Sequence, residues 1–311
     1  MDATAWIAQA VLLSIVRGSY VSIVHWLFLF NMLPAMRLPI RAAVVFLALL
    51  VCSSNALFAS IRIGPTAVYL SDRNKSGVIS ISSVATSPVD VRLDLYYGYI
   101  TSDSTGSPQI FVDEKDLDNP KSCVRWISIN PKRFTLLPGE TRTVRFIARP
   151  PDGLADGEYW SRLVVTSEER RDLGNGGDKV ISAVQQMNVR TIIPISYRRG
   201  ESYADIKLLN VKIDRKPDVV HLDVDMMPVG NAAYTGNMTI VVRDAQKREI
   251  YSKKFEIAVF STFRRRVSIP ASTMSAGTYT AVISYDTDRP DMGENILHVL
   301  PKTYTVEFVL R

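Results

Sequence analysis

The run Ile129-Asn-Pro-Lys-Arg-Phe-Thr-Leu-Leu-Pro-Gly-Glu-Thr-Arg-Thr-Val-Arg-Phe146 contains no catalytic arrangement, yet its punctuation is regular. Pro131 cannot donate into a ladder and ends the strand before it, while Pro138-Gly139 is the composition of a tight turn. Beyond that turn Val144 and Phe146 fall on one side and Arg145 on the other, the two-residue period of a half-buried strand. Working outward, Leu154-Ala-Asp-Gly-Glu-Tyr-Trp160 closes a loop and opens a further strand with Leu163 and Val165 inward.

The same period recurs to the end of the chain. Val89, Val91, Leu93 and Leu95 alternate with Asp90, Arg92 and Asp94, and Val220, Leu222, Val224 and Met226 alternate with His221, Asp223 and Asp225. Ile79 and Ile81 sit between serines, and Tyr304, Val306, Phe308 and Leu310 repeat the pattern near the C-terminus. Long helical periodicity is missing, and turn signals such as Ser71–Gly77, Leu137–Gly139 and Gly174–Gly177 come at sandwich-like spacing. The expectation is an all-β chain of two sandwich domains in tandem, residues 60–199 and 200–311, joined at Tyr197-Arg-Arg-Gly-Glu-Ser202.

The first sixty residues read differently. Met36-Arg-Leu-Pro-Ile-Arg41, the apolar run Ala42–Val51 and the small residues around Ala56 and Ala59 form a secretory signal over residues 36–59, cleaved after either alanine. Residues 1–35 are an extension of uncertain status. Ala5–Val16 and Tyr20–Leu33 are apolar around Arg17, so membrane anchoring is the alternative to a start at Met36 and a periplasmic destination. The chain has 37 Lys and Arg against 31 Asp and Glu, a net +6 without a dense basic run, so nucleic acid is not an expected partner. Cys52 lies in the leader and leaves Cys123 alone, which excludes a disulfide framework and a cysteine metal site in the mature chain.

In order and spacing, several fragments over residues 61–199 resemble the N-terminal domain of the PapD-like periplasmic pilus chaperones. They are Pro65-Thr66, Asn74-Lys75-Ser76, Trp126-Ile-Ser-Ile-Asn-Pro131, Leu137-Pro-Gly139, Val144-Arg145 and Asp156-Gly-Glu-Tyr159. The second half resembles that family less; Val229-Gly-Asn231 and Gly277-Thr-Tyr279 suit many immunoglobulin-like modules. The resemblance implies two immunoglobulin-like sandwiches and a chaperone that binds incompletely folded pilin-like or surface subunits by lending them a strand, with an outer-membrane usher as a further partner. The donor run is then Lys179–Pro194, with Ile181, Ala183, Met187, Val189 and Ile193 on one face, preceded by a long loop over residues 168–177. Family members grip the subunit's terminal carboxylate with an arginine and a lysine at positions that here read Ala67 and Pro194. Arg62, Arg190 and Arg198 are the basic residues available instead, with Arg190 and Arg198 taken as the charge contacts.

Catalytic chemistry has no foothold. His25, His221 and His298 are scattered, the acids of Asp113–Asp118 lack a ligand loop, and Asp172–Gly177 lacks the spacing of a phosphate cradle. No cofactor, metal site or enzymatic activity is expected. Trp126, Tyr159 and Trp160 read as packing, Cys123 as a buried or semi-buried thiol, and Arg264-Arg-Arg266 as an exposed strand face. The competing function is a secreted or envelope protein using two immunoglobulin-like domains for adhesion or scaffolding.

Overall fold

In a computed structural model of the chain, residues 60–115, 119–169 and 188–311 are described. The leader over residues 36–59, the extension before it, most of the loop at 168–177, and Ile181, Ala183 and Met187 of the expected donor run lie outside these residues.

Ten strands build a first sandwich: β1 (Ile61–Gly64), β2 (Val68–Ser71), β3 (Ser76–Ser83), β4 (Val89–Ser102), β5 (Pro108–Asp113), β6 (Ile127–Asn130), β7 (Arg133–Leu136), β8 (Thr141–Ala148), β9 (Gly157–Glu169) and β10 (Asn188–Arg199). One sheet has the order β1-β3-β8-β6 and the other β2-β10-β9-β4-β5, with β7 also paired to β4. The alternation read from the sequence is what fills the space between them: Ile79, Ile81, Val144, Phe146, Leu163 and Val165 are all fully buried. The turn before β8 closes through Glu140 N–H donating to the Leu137 carbonyl at 2.9 Å, with Gly139 at φ 74°. Cys123 is buried against this core.

Pro65-Thr66, one of the matching fragments, stands between two strands. A strand lies on each side, β1 pairing antiparallel with β3 and β2 pairing parallel with β10, so the chain changes sheets at this dipeptide. The proline supplies the reason, because without an N–H it cannot carry the β1 ladder further.

Seven strands form a second sandwich: β11 (Ala204–Arg215), β12 (Val219–Gly230), β13 (Tyr234–Asp244), β14 (Glu249–Val259), β15 (Phe263–Pro270), β16 (Gly277–Asp286) and β17 (Lys302–Leu310). Its sheets run β11-β12-β15 and β14-β13-β16-β17. Both sandwiches carry the same corner. Tyr159 Oη donates to the Ala155 carbonyl and Tyr279 Oη to the Ser275 carbonyl, each at 2.8 Å and each two residues after a positive-φ glycine, Gly157 and Gly277. A tyrosine bonded back across the corner at the start of a strand is a hallmark of immunoglobulin-like sandwiches. The protein is therefore all-β, with two immunoglobulin-like sandwiches in succession.

The sequence reading puts Arg264-Arg-Arg266 together on an exposed face; the strand period divides them. Arg264 and Arg266 form two-pronged bonds to Asp225 and Asp223 on β12, at 2.6–2.8 Å and 2.6–2.7 Å. Arg265 turns to the opposite face, its guanidinium 4.7 Å from the Phe255 ring centroid.

Candidate functional site

Two features of the first sandwich bear on function: the outer edge of β10 and the cleft where β9 and β10 meet the second sandwich. Along its whole length β10 pairs with β9, Asn188 opposite Glu168 through Arg199 opposite Gly157. Its other edge is covered only in part, since β2 pairs with Ile195–Arg198 and stops there. Among the described residues, Asn188–Pro194 therefore present one free edge.

The expected donor face changes character along this edge. Val189 is half-buried, but Ile193 is 3% exposed and belongs to the core with Ile195 and Tyr197. The odd-numbered side chains Ile193, Ile195 and Tyr197 are enclosed by the facing sheet, so Ile193 is a packing residue of its own sandwich. Arg190 is ion-paired to Glu114 at 3.1 Å with both side chains more than half exposed, a pair worth about 0–1 kcal/mol. Arg198 places Nε 3.3 Å from Glu158 Oε1, and Arg62 is exposed on β1, opposite Ser82. Neither Arg190 nor Arg198 is an unengaged cation.

Glu158 explains how the two sandwiches are held against each other. It is 5% exposed and accepts hydrogen bonds from Ser196 Oγ, from Arg198 and, across the junction, from Ala233 N–H at 3.0 Å. The Glu158 N–H donates to the Asn231 carbonyl at 3.1 Å, and Lys121 Nζ donates to the same carbonyl at 2.8 Å. At the tip between β4 and β5, the Gly106 carbonyl accepts from Arg266 N–H at 3.2 Å and Ser102 Oγ from Arg264 N–H at 2.8 Å. Buried backbone groups on both sides are thus satisfied by the partner sandwich rather than by water.

Between these contacts lies a cleft of about 820 Å³. Ala67 and Pro194, the uncharged positions noted in the sequence, both line it, and so do Trp160 and Arg162 of β9. Pro194 is the register partner of Arg162 and Ser196 of Trp160. These two side chains lie on the face of β9 that looks away from the first core, where Phe260, just after β14, meets Trp160 edge-on at 5.0 Å between ring centroids. Trp160 is thus packing, as read, but against the second sandwich, whereas Trp126 and Tyr159 pack in the first, 5.8 Å apart. Arg162 was not singled out by sequence. Its only signal is a lone basic residue in Gly-Glu-Tyr-Trp-Ser-Arg-Leu-Val-Val165, a strand whose two faces are both buried.

No protein-family model matches the sequence, and no curated protein does. Solved structures similar to the chain include the CsuC–CsuE chaperone–tip adhesion subunit pre-assembly complex of Acinetobacter baumannii, 14% identical over 80% of this chain and 98% of that one, with a TM-score of 0.42. The YadV chaperone is 13% identical over 81% of this chain and all of its own (100%), with a TM-score of 0.42. The CupB2 chaperone of Pseudomonas aeruginosa is 13% identical over 80% of this chain and 100% of its own, with a TM-score of 0.39.

Proposed function

We propose that the protein is a non-catalytic chaperone of the periplasm, with domains at 60–199 and 200–311, that captures incompletely folded pilin-like or surface subunits and passes them to an outer-membrane usher. The half-open edge of β10 carries this reading. A subunit lacking one strand exposes an apolar groove and unpaired main-chain groups, and a free edge strand with alternating apolar residues fills both. Main-chain pairing along the edge supplies affinity, and the row Ile181, Ala183, Met187 and Val189 selects the client. Ile193 lies in its own sandwich and closes the row.

Co-purification of the tagged full chain from a periplasmic extract of its own host tests this. The Met187→Glu, Val189→Glu double variant loses its partner while keeping the wild-type melting temperature and far-ultraviolet spectrum. Arg190→Ala reduces the yield far less, because among the described residues Arg190 loses an exposed pair with Glu114. Retention of the partner at wild-type yield by the double variant refutes strand donation and leaves the envelope scaffold in its place.

A further inference from the structure

The second sandwich is closed differently on its two sides. Where β17 meets β11 the sheets are tied across: Lys302 Nζ donates to Asp205 and, at 3.3 Å, to the Ile206 carbonyl, and Arg215 Nη1 donates to the Arg311 carbonyl at 2.7 Å. On the other side β14 and β15 are each the last strand of their sheet. The β15 edge is capped, because its Arg264 and Arg266 N–H groups donate to Ser102 Oγ and the Gly106 carbonyl and Pro270 at its end has no N–H. Among the described residues β14 has no such cap. Its eleven residues, Glu249–Val259, run without a proline, and a strand added there would lay alternate side chains into the opening between the two sheets.

Two cations stand in that opening. Lys253 of β14 lies opposite Ile240 in the register and Arg265 of β15 opposite Val224. Ile240 and Val224 are fully buried, so both cations occupy positions on the core-facing side of their strands. They converge on one ring, Lys253 Nζ at 5.2 Å and Arg265 Cζ at 4.7 Å from the Phe255 centroid. Neighbouring cations are paired with acids, Arg248 with Asp244, Arg264 with Asp225 and Arg266 with Asp223. Among the described residues Lys253 and Arg265 form no ion pair, and Arg265 Nε is buried without an acceptor. The ring attracts each cation weakly, but the two repel each other, and an apolar side chain of similar length would fill either place without that cost. An incoming strand would take the remaining water from both charges and offer no counterion, so inward-facing charge on an edge prevents pairing. The free run of β10 differs: on the side of Ile193 it carries Val189, Thr191 and Ile193, none of them charged.

We propose that Lys253 and Arg265 form a charge barrier that keeps the β14 edge from pairing with a second copy of this chain. A second copy is the occupant to be excluded, because two β14 edges can pair with each other about a twofold axis and join two four-stranded sheets into one. The barrier does not depend on the chaperone reading; its consequence there is that a client strand is directed to β10.

The test compares the full chain with its Lys253→Met, Arg265→Met variant, which keeps two long stems and removes both charges. Sedimentation velocity over a series of concentrations reads association, and hydrogen exchange over Glu249–Val259 and Asn188–Arg199 reads which edge is covered. The double variant keeps the wild-type far-ultraviolet spectrum and melts no lower. It self-associates with a Kd at least about tenfold below that of the wild type, and exchange slows along β14 as it does so. Lys253→Glu, Arg265→Glu, which keeps charge in the opening with its sign reversed, associates no more than the wild type. If the Arg265 change prevents folding, Lys253→Met alone, at an exposed position, shows the same effect in smaller measure. Masses equal to the wild type at every concentration overturn the barrier, as do slowed exchange on β10 instead of β14 and equal association of the glutamate variant. Client capture fails separately, since none of these measurements uses a client.

Discussion

Truncating Ile193 and Val189 separately distinguishes a core residue from an edge residue on one face of one strand. Ile193 is 3% exposed, stands opposite the fully buried Leu163 in the β9 register and is followed two residues on by the fully buried Ile195. Ile193→Ala removes three buried carbons, about 2.4 kcal/mol at ~0.8 kcal/mol per buried methylene. The cavity left between two paired sheets cannot collapse fully, which brings the expected loss to about 3 kcal/mol, inside the usual range of roughly 2–5. Val189→Ala removes two carbons from a half-buried site near the start of β10, and about 0.8 kcal/mol is expected. Urea unfolding of the purified chain, followed by tryptophan fluorescence, reads the difference. With m of about 1–3 kcal/mol per molar, Ile193→Ala lowers the midpoint by about 1 M or more, and Val189→Ala by about a quarter of that. Equal shifts for the two variants would refute the assignment of Ile193 to the core.

Three further outcomes are expected. Burial pushes the Cys123 thiol up to about 12, against a weaker opposing effect of its hydrogen bond to Ser161. The native chain therefore resists maleimide at pH 8 while the urea-unfolded chain reacts. Because the folded thiol keeps its proton above the unfolded value of 9.0, the urea midpoint falls as pH rises from 9 toward 12. The Arg266 fork holds the Asp223 carboxyl below its ordinary range against the opposing effect of burial, so its contribution is present above the unfolded value of 3.8 and is lost as pH falls through the folded one. Asp223→Asn flattens that acid limb and costs about 1.5–3 kcal/mol at pH 7 by urea unfolding. Gly106→Ala meets both a φ of 78° and a Cβ 2.6 Å from Arg266 N, whereas Gly139→Ala meets a φ of 74° with nothing within 4 Å. Both lower the melting temperature, Gly139→Ala by the conformational cost of about 1 kcal/mol and Gly106→Ala by more, since the contact between sandwiches is also broken.

Much of the fold was legible because its signals are local. Period-two alternation specifies which side of a strand is apolar without reference to its partner, and Ile79, Ile81, Val144, Phe146 and the row from Val220 to Met226 all lie inside. Pro138-Gly139 and the two Gly-x-Tyr corners are likewise set by residues within four positions of each other. Edges and buried charges are different, because they depend on what the chain brings from far away. The face shared by Val189 and Ile193 is continuous in sequence, and only the facing sheet encloses one and leaves the other half open. Arg190 and Arg198 are engaged by Glu114 and Glu158, 76 and 40 residues away, and no local pattern announces either pairing. Arg265 looked like its neighbours until the strand's period turned it onto Phe255. Arg162 is the sharpest case: a lone arginine on the outer face of a strand ordinarily faces water, and it is the second sandwich, closing over β9, that buries it against the Phe260 ring.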